Sequence, residues 1–134
     1  MMLCRLVAAA IVFLSVIPLG ACREYLPGCV PGGGTSGTAR VTVSIDPDWN
    51  PFNRGKFVPS SVTVRAGNLV TWNFKDTSGA HSITADDGSF DSCQIVAVPG
   101  AITDFTVRFS KEGTFTYHCR VHSGKRGEVK VILH

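Results

Sequence analysis

From Arg40 onward, apolar side chains recur at every second position in short runs separated by turn residues. Val41, Val43 and Ile45 alternate with polar neighbours, as do Val62 and Val64, and then Val70, Trp72 and Phe74. The same alternation returns at Phe105, Val107 and Phe109, at Phe115, Tyr117 and Cys119, and at Val129, Val131 and Leu133. An extended chain sends successive side chains to opposite faces, so each run predicts a strand with one face on a common core. Glycines such as Gly67, Gly88 and Gly113 stand between the runs, where a turn needs a left-handed backbone or close approach. Asp86 and Asp87 beside Gly88 read most simply as a hairpin turn. No stretch of this region carries sustained helical periodicity. Seven to eight such strands in about 95 residues predict an all-β fold, a Greek-key antiparallel β-sandwich.

The N-terminal third has a different pattern. After Arg5, an apolar run from Leu6 to Leu19 ends in small residues. Its length of roughly 14 residues falls short of the ~20 that span a bilayer, so residues 1–21 read as a signal peptide rather than a retained anchor. Leu19-Gly20-Ala21-Cys22 resembles the lipobox of bacterial lipoproteins. That resemblance implies export, lipidation of Cys22 and attachment to a membrane of the bacterial cell envelope, on its periplasmic or cell-surface side. Residues 22–39 are rich in Gly, Pro, Ser and Thr and predict a flexible tether, with the folded domain occupying residues 40–134.

Length and charge narrow the function. A chain of 134 residues accommodates one domain, expected to be a monomer. Its formal net charge of +3 comes without any dense run of Lys or Arg, which argues against a nucleic-acid partner. Outside the cytoplasm the five cysteines take on separate meanings. Cys4 leaves with the signal and Cys22 would carry lipid. Cys29 and Cys93 are then left either as a disulfide or as two separate thiols, a choice that depends on their separation in space.

The chemistry concentrates in Tyr117-His118-Cys119-Arg120-Val121-His122-Ser123-Gly124-Lys125-Arg126-Gly127, with His81 far upstream at a strand start. A soft thiolate with two imidazoles suits copper cycling between two oxidation states. Cys119 and His122, at a strand end and in the loop after it, can face one point, and His81 can join them from a neighbouring strand. His118 alternates with Tyr117 and Cys119 and should face the other side. His134, the last residue, reads as frayed rather than functional.

These residues carry a family resemblance that extends over nearly all of residues 57–132. Phe57-Val58-Pro59, Val62-Thr63-Val64, Ala66-Gly67, Val70-Thr71-Trp72 and His81-Ser82 occur in order. Asp87-Gly88-Ser89-Phe90-Asp91-Ser92, Gly113-Thr114-Phe115-Thr116-Tyr117-His118-Cys119 and Gly127-Glu128-Val129-Lys130-Val131 follow. The domain resembles the plastocyanin and amicyanin branch of the cupredoxins. The resemblance implies a cupredoxin-like sandwich with one mononuclear, type 1-like copper whose equatorial ligands are His81, Cys119 and His122.

The sequence departs from that pattern at one place. Where the amicyanin-like spacing has an axial methionine, this chain has Lys125, and its two methionines are Met1 and Met2. A flexible stem that keeps its head hydrated predicts Lys125 turned outward with the axial position empty; an inward amine coordinating the metal is the other arrangement.

The expected function is one-electron transfer to or from a redox partner protein, with Arg120, Lys125 and Arg126 favouring an acidic one. Copper delivery or storage, or a metal-free interaction module, are the alternatives. An enzyme is not expected: an oxygen-reducing copper cluster needs more histidines than the four present, and a binuclear centre needs a second cysteine in the ligand loop.

Overall fold

A computed structural model of the chain describes residues 24–25, 29–39, 41–45, 55–74, 79–96 and 103–133. Among the described residues eleven strands follow one another: β1 (Glu24–Tyr25), β2 (Val41–Ile45), β3 (Phe57–Val58), β4 (Ser61–Arg65), β5 (Leu69–Asn73) and β6 (Ala80–His81). Then come β7 (Thr84–Ala85), β8 (Ile95–Val96), β9 (Asp104–Arg108), β10 (Gly113–His118) and β11 (Arg126–Ile132). They form sheets ordered β4-β11-β10-β7, β3-β2-β5-β9 and β1-β8-β6. The all-β sandwich is as expected, and the strand count exceeds seven to eight because five of the runs are only two residues long.

Two pairings correct the antiparallel expectation. β4 runs parallel to β11, and β2 runs parallel to β5. Parallel neighbours cannot be joined by a two-residue hairpin and need a longer connection, which alternation along the sequence does not reveal.

The alternating positions form the core. Val43, Ile45, Val70, Trp72, Phe105 and Val107 are buried from one four-stranded sheet, and Val62, Val64, Tyr117, Val129 and Val131 from the other. Burying each such side chain stabilises the fold by about 1.5–3 kcal/mol relative to exposure. Trp72 of β5 meets the ring of Tyr117 in β10 edge-on, with centroids 5.1 Å apart, and so links the two sheets. Burial pushes the Tyr117 phenol up to about 12. Tyr117 lies opposite Gly127 in the β10–β11 register, and a Cβ on Gly127 would enter the tyrosine ring. Leu133, expected on the core face, is 60% exposed because β11 has ended before it.

The segment read as a tether is fastened to the domain from Cys29 onward. Cys29 and Cys93 form a disulfide with a Cα–Cα distance of 5.9 Å. Gly32 bridges Asp91, Gly34 bridges Val107, and the Thr35 amide donates to the Thr106 carbonyl at 2.8 Å. At Gly33, with φ +72°, a Cβ would run into Phe90 and the Ser89 carbonyl, so only glycine lets the segment lie this close. β1 pairs with β8 still nearer the N-terminus. Periodicity could not foresee this, because the segment is held by isolated backbone bonds and a disulfide rather than by an apolar face. Cys22 and the signal segment lie outside the described residues, as does His134.

Candidate metal centre

The site is assembled at one end of the sandwich by three elements. His81 ends the short β6, pairs with Ile95 of β8 and is fully buried. Cys119 follows β10 directly, and His122 sits in the loop leading to β11. That loop is closed at its base: the Cys119 amide donates to the Lys125 carbonyl at 3.0 Å, and the Lys125 amide donates to the His122 carbonyl at 3.2 Å. Gly124 supplies the left-handed residue of the turn, with φ +90°.

One donor atom from each of His81, Cys119 and His122 lies within 4.8 Å of the others. Cys119 Sγ is 3.6 Å from His122 Nδ1, and the two imidazole rings are 4.9 Å apart. Metal–nitrogen and metal–sulfur bonds of roughly 2.0–2.3 Å separate the donors of one ion by ~3.3–3.9 Å, so the arrangement fits a single metal. A thiolate with two imidazoles is the set that suits copper. The Ser82 amide donates to Cys119 Sγ at 3.4 Å, a contact that stabilises charge on sulfur and fixes its direction.

Lys125 corrects the outward expectation. It is 3% exposed, and its Nζ stands 3.1 Å from His81 Nδ1. The cause is strand parity: Lys125 falls on the same alternation as Val129 and Val131, which are buried, whereas Arg126 and Lys130 are exposed. The withdrawal of Lys125 leaves Arg120 and Arg126 as the exposed cations of the expected trio. A groove of about 410 Å³ runs over this end and is lined by Cys119, Arg120, Val121, His122 and Arg126 among others. His122 is half-buried, so its edge is the part of the donor set nearest to solvent.

His118 faces away from the cluster, as its position in the alternation predicts. Its Nδ1 lies 2.6 Å from Asp86 Oδ1. A hydrogen bond from Thr116, then the one from His118, holds the Asp86 carboxyl below the usual range. Asp86 thus does more than turn the chain.

Sequence reasoning missed two supporting residues. Ser82 was visible only as the neighbour of His81. Its Oγ accepts the Arg120 amide at 2.9 Å, besides its own amide bond to the thiol. Asp91 was visible only as part of the run from Asp87 to Ser92; its carboxylate meets the nearby Cys93 amide, Thr84 Oγ1 seven residues back and Arg120 from the ligand loop.

Comparison with known proteins agrees with this geometry. The model for copper binding proteins of the plastocyanin/azurin family matches residues 51–132. Plastocyanin from Scenedesmus fuscus is 30% identical over an alignment of 93 positions that covers 63% of this chain and 89% of that one. Among solved structures, a purple cupredoxin from Nitrosopumilus maritimus superposes with a TM-score of 0.52 at 23% identity, covering 69% of this chain and 99% of that one. An oxidized amicyanin variant with lysine in place of a methionine gives 0.51 at 22% identity, covering 84% and 99%. The family match takes in β3 to β11 and the whole donor set, so the chain belongs to the plastocyanin/azurin family of copper-binding proteins, the cupredoxins.

Proposed function

We propose that the chain is a one-electron carrier held at a bacterial cell envelope by a lipid on Cys22, with copper on His81, Cys119 and His122 and the Lys125 amine as a fourth neighbour of the metal. The observation that carries this reading is the convergence of the three donor atoms within 4.8 Å of one another, with Lys125 Nζ on the same side as His81 Nδ1. Bound copper supplies the one-electron couple.

The protein supplies the rest. His81 and Cys119 are buried and keep water from the metal, while half-buried His122 offers an edge through which an electron can leave. The loop closed by Cys119, His122 and Lys125 backbone bonds holds the donors with little freedom, so the site resists rearrangement on a change of charge. Arg120 and Arg126 beside that edge steer an acidic partner, more strongly at low salt. For Lys125, burial at 3% exposure and the 3.1 Å approach of Nζ to His81 Nδ1 support a place beside the metal. An amicyanin with lysine in place of a methionine keeps the same fold.

Support for the envelope comes from the apolar run Leu6 to Leu19 followed closely by Cys22, and from the Cys29–Cys93 bridge, a bond that persists in oxidising compartments. Cyclic voltammetry of the copper-loaded protein tests the function. A reversible one-electron wave together with an intense visible thiolate-to-copper band is expected. Bound copper with no reversible wave would reject electron transfer in favour of copper delivery.

A further inference from the structure

Asp91 lies outside the donor set, yet three separated pieces of the chain meet on its carboxylate. Oδ1 accepts the Cys93 amide at 2.9 Å and Thr84 Oγ1 at 3.1 Å. Oδ2 accepts from Arg120 Nη2 at 2.5 Å. Its backbone is fixed as well, exchanging amide and carbonyl bonds with Gly32 at 2.9 Å each.

Each of these contacts leads somewhere definite. Cys93 adopts a left-handed backbone, φ +57°, which a non-glycine residue holds only where its surroundings impose it. Here the Asp91 carboxylate and the bridge to Cys29 impose it. Thr84 Oγ1 lies 3.3 Å from Ser82 Oγ. Arg120 directly follows Cys119, and its amide donates to that same Ser82 Oγ. Ser82 in turn donates its amide to Cys119 Sγ. The carboxylate therefore joins the disulfide corner, the strand segment after His81 and the residue after Cys119. Arg120, with half its side chain exposed, has its head group fixed by this one carboxylate bond.

We propose that Asp91 is a positioning residue for the copper thiolate: its carboxylate clamps Arg120 to the Cys29–Cys93 corner and so holds Cys119 against the Ser82 amide. The step is one of positioning, with no bond made or broken. It rests on the reading of Cys119 as a copper ligand, but the clamp itself is a property of the metal-free chain.

The test uses the full chain, with alkylation of Cys119 by iodoacetamide followed at the peptide level. Asp91→Asn keeps an acceptor for Cys93 and Thr84 and removes the charge that holds Arg120. Arg120→Gln removes the other half of the pair from an exposed position and leaves the core untouched. Each variant should raise the alkylation rate of metal-free Cys119 about threefold to tenfold, the scale of losing one solvent-screened hydrogen bond. The double variant should react no faster than the faster single one, because both remove the same contact. The urea midpoint should fall by no more than the same factor implies, and alkylation should stay flat at urea concentrations below the unfolding transition, because the thiol is reached by a local opening. In the copper-loaded variants the thiolate band should broaden and shift.

Three results would overturn the proposal: parent alkylation rates in both variants, rate increases that multiply in the double variant, or alkylation that rises with urea as steeply as global unfolding does. A parent protein that binds copper without a thiolate band would instead remove the copper reading, and the alkylation arms would still decide whether Asp91 clamps the thiol.

Discussion

Lys125 places its Nζ 3.1 Å from His81 Nδ1, although the two residues stand 44 positions apart and enter the site from the loop before β11 and from β6. The lysine is buried at the point where a hydrated head group was the simpler expectation. Its position puts a nitrogen of this chain beside a proposed copper ligand, where the amicyanin-like spacing has a thioether.

Replacing that nitrogen tests its role directly. Lys125→Met should strengthen the visible thiolate band and narrow the copper hyperfine pattern in electron paramagnetic resonance, because a weak, long sulfur contact replaces a stronger nitrogen donor. Identical spectra for Lys125→Met and the parent would show that the amine lies outside the coordination sphere.

The equatorial assignment makes a sharper demand. Cys119→Ser should abolish the intense visible band while copper is still bound more weakly by the two imidazoles, because oxygen replaces the soft donor. His81→Ala should open the site and weaken the band. A Cys119→Ser protein that stays coloured would refute the thiolate ligand.

Gly127 faces Tyr117 across the β10–β11 pair, and a Cβ there would enter the phenol ring. Gly127→Ala should therefore destabilise the fold by about 1–3 kcal/mol, the usual cost of overpacking a filled core. Urea denaturation measures this. A shift of the same size in Gly124→Ala would not count for the packing argument, since Gly124 has open space around it but a positive φ.

The Asp86 carboxyl is held below its ordinary value by Thr116 and His118. A depressed carboxyl contributes stability that is fully present above the unfolded value near 4 and is lost as pH falls through the folded value. Asp86→Asn should thus cost up to about 1 kcal/mol at neutral pH, kept small by solvent screening, and nothing at the acid end of that window. Thermal unfolding across pH 2–7 should show the parent and variant curves converging at low pH; parallel curves would assign the loss to something other than charge.

For the envelope, Cys22→Ser should leave the chain without lipid and move it from the membrane fraction to the soluble fraction, or leave it unprocessed. Detergent phase partitioning with mass spectrometry of the N-terminus reads both outcomes. A processed Cys22→Ser protein that remains with the membrane would remove the anchor from the proposal.

Much of the site could be read from the sequence because its chemistry is local or carried by residue type. Cys119 and His122 sit three positions apart, strand alternation put Cys119 and His118 on opposite faces, and a thiol with two imidazoles names its metal by softness. Alternation also marked the core strands, since burial on one face imposes a period of two. The same rule, extended back from Val131 and Val129, points Lys125 inward; the general preference of lysine for water hid what parity already showed.

Other features were decided only in three dimensions. The parallel pairings of β4 with β11 and β2 with β5 depend on where connections cross, and alternation along one strand contains nothing about its neighbour. The glycine-rich segment after Cys29 looked free because it has no apolar face, yet a disulfide and scattered backbone bonds hold it to the domain. Asp91 became a meeting point for Thr84, Cys93 and Arg120 for the same reason. The sequence by itself determined which side chains are apolar, where the chain must alternate and which metal the donors prefer; the tertiary structure alone decided which distant polar groups meet, because a hydrogen bond depends on separation in space and leaves no period in the chain.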